Sequence, residues 1–222
     1  MKKVDIGIVV LLGFGFALMT PSCSRKDNKS NNQDQGIDSS GASEQSTLDP
    51  YLAYSKVLLT WRQGNIDEAI AMFVAVDWNS RASASSSSVI QLVMSVVDPD
   101  QRDNTSFTGQ SIFKEEFVKK WIRAHADFVR VVRLRIRQCI TEERYSEAEK
   151  LGEILVRCGE ALTAEDYVPF LIRATGVSTQ QRAVEELMKL YTKTSRQQDI
   201  KQAEKRLSDI KERRREIDSL DN

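Results

Sequence analysis

From Asp49 onward the apolar positions fall at helical spacing. Tyr54, Val57, Leu58 and Trp61 recur three and four residues apart, which sets them on one face of a helix. Asp49-Pro50 opens that helix, Asp as a capping acceptor and Pro with its φ already suited to the first helical position. Gly64-Asn65 breaks it. Asp67 and Glu68 then suit the positive end of a second helix dipole, and Ala69, Met72, Phe73 and Val76 continue the apolar spacing. The pair is predicted to be a helical hairpin.

Residues 81–88 read as a Ser/Ala-rich loop. Val89 to Val97 is almost wholly apolar and lacks periodicity, so it is expected to be buried on all sides, as a helix or alternatively as a strand. Asp98-Pro99-Asp100 ends it. Ser111 is placed to cap a long helix, with Glu115 and Glu116 in its opening turns and a core stripe of Phe113, Phe117, Trp121, Ala124, Phe128, Val132 and Cys139. Val132 to Arg137 alternates like a strand, but no Gly or Pro interrupts Ser111 to Leu151, so the helix is expected to continue. Thr163 with Asp166, and Ser178 with Gln181, resemble capping boxes and predict two further helix starts, with Pro169 shortening or kinking the first. Beyond Asp199 the chain is highly charged, with Ile200, Ala203, Leu207, Ile210 and Ile217 at three-and-four spacing. Arg214 interrupts that seam, which weakens it as a coiled coil.

The N-terminus follows a different pattern. Lys2 and Lys3 precede about 14 uncharged, largely apolar residues from Ile6 to Met19, the length of an export signal core and short of the roughly 20 residues a bilayer requires. Thr20-Pro21-Ser22-Cys23 follows, and the arrangement resembles a bacterial lipoprotein signal. The resemblance implies that Cys23 is lipidated and becomes the mature N-terminus. Thr20 and Pro21 depart from the leucine and small residue usual in that box, while Ser22 fits it. Ordinary secretory cleavage near Ser22 and an uncleaved anchor are the alternatives. Under the lipoprotein reading Ser24 carries no acidic retention signal, which favours the outer membrane. Ser24 to Thr47 contains one large apolar residue, Ile37, and is too polar to fold alone. It is expected to be a tether with a reach of about 25–30 Å.

The string from Gly64 through Phe73 resembles the inter-helix turn, small packing residue and second-helix aromatic of a tetratricopeptide repeat. Tyr145-Ser146-Glu147-Ala148 is a weaker echo, with Glu143 at the turn glycine and Gly152 where the aromatic belongs. Lys56, Val57 and Thr60 depart from the first-helix pattern, and no 34-residue period runs through the chain. The expected fold is all-α: a signal over 1–22, a disordered tether over 23–48, a helical domain over 49–197 and a charged helix over 198–222. The hairpins either stack as tetratricopeptide-like units or close into an irregular bundle.

Composition narrows the chemistry. Ten Gly and four Pro in 222 residues are too few breakers for an all-β chain. Thirty-two basic side chains balance 32 acidic ones, which disfavours a nucleic-acid protein. Removing residues 1–22 leaves 30 and 31, with little global attraction for an anionic membrane. His125 is the sole histidine, so multi-histidine metal sites are excluded, and its place beside the apolar stripe points to a structural role. No phosphate loop, nucleophile elbow or paired-cysteine metal spacing is present, so no catalytic residue, metal or cofactor is expected. Cys139 and Cys158 are expected to be buried thiols. Arg130, Arg133 and Arg137 share a helix face that suits an acidic partner or lipid headgroups; pairing with Glu142, Glu143, Glu147 and Glu149 is the structural alternative. Trp61 and Trp78, with Phe73 and Trp121, are either core or the lining of a peptide groove. The functional expectation is a non-enzymatic scaffold held to the membrane by its N-terminal lipid, binding a protein partner in the cell envelope. The alternative is a structural oligomer or spacer joined by weak self-association of the C-terminal helix.

Overall fold

The computed structural model describes residues 49–80, 85–97, 115–164 and 168–219. The signal, Cys23, the tether, the Asp98–Asp100 stop and the Ser111 cap lie outside them. Seven helices and no strand occur among the described residues: α1 (Pro50–Arg62), α2 (Ile66–Ala75), α3 (Ser86–Met94), α4 (Glu115–Thr141), α5 (Tyr145–Thr163), α6 (Phe170–Lys193) and α7 (Gln197–Ser219). The chain is all-α, as its periodicity predicts. None of these helices is long and apolar enough to cross a membrane.

Asp49 caps α1 by accepting from the Tyr51 amide at 2.8 Å, and it also takes the Ser88 hydroxyl, which ties α1 to α3. The apolar run at Val89 is helical, with Val89, Leu92 and Val93 buried against the core. The alternating Val132–Arg137 stretch stays inside α4.

Two predicted helix starts are corrected. Thr163 is the last residue of α5, where its hydroxyl donates toward the Gly159 and Glu160 carbonyls. Ser178 lies in the middle of α6 and donates to the Ala174 carbonyl at 3.2 Å, so its likeness to a capping box is accidental. Pro169 precedes α6 rather than kinking it.

Three hairpins, α1/α2, α4/α5 and α6/α7, share one turn. Gly64, Glu143 and Ser195 each adopt positive φ, at 88°, 59° and 56°. After each, the next amide reaches back to the helix, Asn65 to Thr60, Arg144 to Cys139 and Arg196 to Tyr191, at 3.2, 2.8 and 2.9 Å. This is the Schellman closure, which satisfies helix-end carbonyls and reverses the chain. The third turn escapes a sequence search because Ser195 replaces glycine.

The hairpins lie side by side. Their first helices pack α1 to α4 and α4 to α6, with α3 inserted between α1 and α4. On the other side, α7 reaches α5 through Arg206 to Glu153 and Glu160, and Arg196 in the turn before α7 reaches Glu149. The most extensive contact joins α5 and α6. There Gly159 and Gly176 let the backbones touch: a Cβ on Gly159 would lie 2.7 Å from the Gly176 carbonyl oxygen. Ala203, Ile210 and Ile217 of α7 are buried and Ile200 and Leu207 are partly buried, so the apolar seam of the charged tail packs against the helical body. The tail therefore packs with the helical body, and the described residues from Asp49 to Ser219 fall within one compact unit.

Candidate functional site

His125 sits where the three first helices meet. On one side the Tyr54 hydroxyl of α1 lies 2.7 Å from Nδ1; on the other, Thr179 Oγ1 of α6 lies 2.8 Å from Nε2. Thr179 donates its only hydroxyl proton to the Thr175 carbonyl at 2.9 Å. It must therefore accept from Nε2–H, which leaves Nδ1 to accept from Tyr54. The imidazole is 1% exposed and Trp121 stacks on it, with ring centroids 4.9 Å apart. Burial, assisted by the charge of Arg182, pushes its pKa down to about 3, so it is neutral at pH 7. Burial also lifts the Tyr54 phenol well above its ordinary range. With every polar atom engaged, this line of hydrogen bonds ties α1, α4 and α6 together.

The arginine face divides. Arg130 is exposed and pairs with Asp127 at 2.8 Å. Arg133 and Arg137 both reach Glu186 on α6, at 2.7 and 2.6 Å, and Lys189 adds a third contact at 3.0 Å. Glu142 and Glu147 instead pair with Arg144. The carboxylate that takes up Arg133 and Arg137 is thus about fifty residues away, on a helix the sequence does not link to them. Glu186 has no exposed side-chain surface. Burial alone would raise its pKa, but hydrogen bonds from Arg137, Lys189 and Arg133 outweigh that and hold it near 2.

Trp61 and Trp78 belong to the core. Trp78 is 6% exposed and meets Tyr54 and Phe73 edge-on, at 5.4 and 5.6 Å; half-buried Trp61 meets Phe128 at 6.0 Å. Cys139 and Cys158 are buried free thiols, and burial raises both pKa values. No cluster of three potential metal ligands occurs among the described residues.

What sequence reasoning missed is the sorting of charge. The first helices carry 13 Lys/Arg against five Asp/Glu: two and none in α1, seven and three in α4, four and two in α6. The second helices carry nine against 12: none and two in α2, two and four in α5, seven and six in α7. A balanced total therefore conceals a basic row beside a more acidic one. Leu59, Leu134 and Leu171, three of the four large exposed apolar side chains among the described residues, also lie on the first helices. This signal was present in the sequence, but it needed the hairpin order to be read.

Two recesses flank α4. One, of about 450 Å³, lies between α2, α4 and α5, floored by Ile70, Val74 and Leu151 and spanned by the Arg135–Asp67 ion pair. The other, of about 250 Å³, lies between α4, α6 and the end of α7, with Arg182 and Arg214 on its lining. No family model, curated protein or solved structure matches this chain.

Proposed function

We infer that the protein is a non-enzymatic interaction module, exported and tethered at its N-terminus, which docks an acidic protein partner of the cell envelope on the basic row of first helices. The reading rests on the sorting of charge between the two rows: the first helices carry 13 basic side chains against five acidic ones, and the second helices nine against 12. Three cations converge on Glu186, so two positive charges are left over beside exposed Arg130. Exposed Leu134, on α4 between Arg130 and Arg137 at helical spacing, supplies apolar contact next to that charge, and exposed Leu59 lies on α1 of the same row. A positive field of this kind speeds encounter with an acidic partner and rejects basic ones. Tethering through Cys23 would add to this by concentrating the module near envelope partners without any new contact.

The test is cross-linking in intact cells with the full chain, followed by mass spectrometry of captured proteins and of the peptide that begins at Cys23. An acidic partner linked to α4 or α6 is expected. Its recovery should fall at least tenfold in Arg123→Glu/Arg130→Glu, two exposed positions on α4, and should weaken as salt rises. Capture that is indifferent to both charge reversals and to salt would refute the docking face. A Cys23 peptide of unmodified mass would refute the lipid tether while leaving the docking result standing.

A further inference from the structure

The recess between α4, α6 and α7 lies beyond the protein-docking reading and has a chemistry of its own. Its walls are aliphatic: Ile122, Ala126 and Val129 from α4, Leu171 and Ala174 from α6, and Ile217 from α7. The polar groups on its floor have no proton to offer. Thr175 donates to the Leu171 carbonyl at 2.7 Å, Ser178 to the Ala174 carbonyl at 3.2 Å and Thr179 to the Thr175 carbonyl at 2.9 Å. The His125 N–H is taken by Thr179, as derived above.

The free donors are therefore the guanidinium groups of Arg182 and Arg214, both on exposed residues. Arg182 has no hydrogen-bond or ion-pair partner among the described residues. Arg214 has only a loose contact with Asp218, at 3.9 Å, in which both side chains are more than half exposed; Asp218 also lines the recess, so its two guanidinium groups face one carboxylate and the lining keeps one net positive charge. Neutral alcohols and sugars could donate to the lone pairs of the floor but would leave the guanidinium charge unanswered. An aliphatic body ending in an anion satisfies both zones. At about 250 Å³ the recess exceeds the roughly 150 Å³ cavity that takes up benzene and falls just below the usual range for drug-sized ligands, so it suits a chain of about eight carbons.

We propose that this recess is a binding site for a free medium-chain aliphatic carboxylate, its chain between α4 and α6 and its carboxylate on Arg182 with Arg214 alongside. The site is distinct from the Glu186 cluster: the ligand's anion engages guanidinium groups that no buried carboxylate takes up. Occupancy would pack Leu171, which is 37% exposed without it. It would also place a negative charge near the cation that disfavours protonation of His125.

The experiment uses the full chain in phosphatidylcholine nanodiscs and a photoreactive eight-carbon carboxylate bearing a diazirine, with labelled peptides mapped by mass spectrometry. Labelling is expected within residues 122–129 and 171–178. It should be competed by octanoate, and at least tenfold less well by acetate, which lacks the chain, or by 1-octanol, which lacks the charge. Arg182→Gln should lower labelling at least tenfold, and Ala126→Leu should lower it by filling the recess while leaving both arginines in place. Thermal melts confirm that each variant is folded. Labelling spread over other helices, unchanged by Arg182→Gln, or competed equally by octanol would overturn the proposal. Displacement by phosphatidylglycerol in the nanodisc but not by octanoate would also overturn it, making the occupant a lipid rather than a free acid.

Discussion

Replacing Glu186 by Gln keeps the shape of the side chain and removes the charge that gathers Arg133, Arg137 and Lys189. The folded pKa lies near 2 against an ordinary 4.5, and each unit of that gap corresponds to about 1.4 kcal/mol. The carboxylate therefore contributes about 3 kcal/mol at pH 7. Because the side chain itself is fully buried, little of this is lost to solvent on its own account; Arg137 and Lys189 are about half exposed, which makes the figure a ceiling. The sign follows from proton counting. Between pH 4.5 and 2 the unfolded chain binds the proton and the folded chain does not, so stability rises with pH in that window. The contribution is complete above the unfolded pKa and is lost as pH falls through the folded one. By pH 3 about 2 kcal/mol should be gone. Urea denaturation followed by circular dichroism at pH 7, 5, 4 and 3, for the parent and Glu186→Gln, measures the difference directly. It should be near 3 kcal/mol at pH 7 and 5 and shrink steeply below pH 4.5. A difference that holds constant to pH 3, or is under about 0.5 kcal/mol at pH 7, would refute the assigned role of Glu186.

Further outcomes follow from the packing. Gly159→Ala would push a methyl against the Gly176 carbonyl and Gln180, and should cost about 1–3 kcal/mol in a thermal or urea melt. Glu143→Gly and Ser195→Gly relieve positive φ at hairpin turns and should each raise stability by about 0.5–1 kcal/mol, seen as a higher urea midpoint at unchanged slope. Tyr54→Phe removes the donor to His125 Nδ1 and should cost about 1–3 kcal/mol, the penalty for a buried acceptor left unpaired. Native thiol labelling with peptide mapping should leave Cys139 and Cys158 unmodified until denaturant is added, since both are buried and their thiolates disfavoured.

The helices were legible because helix formation is local. Apolar spacing of three and four residues, the Asp49-Pro50 cap and the break at Gly64 each act within a turn or two of chain, and the structure carries all three. The same locality misled at Ser178, where a capping pattern four residues long lies within a helix that tertiary packing keeps continuous across it. Nothing local marks Ser195 as a turn, since it lacks the glycine usual at positive φ. The helical spacing of the aromatic residues favours core over groove, and the edge-on cluster around Tyr54 shows how Phe73 and Trp78 pack there.

By itself the sequence determined an all-helical chain, its first hairpin and the core faces of its long helices. The tertiary structure alone decided which charges meet. Arg133 and Arg137 find Glu186 because α4 and α6 lie side by side, the same adjacency that brings His125 to Thr179, while Gly159 and Gly176 bring α5 and α6 into close approach. The sum of charges is a property of composition and equals zero. Its division into a basic and a more acidic row depends on which helices become neighbours, and that is set by packing over separations of fifty residues or more.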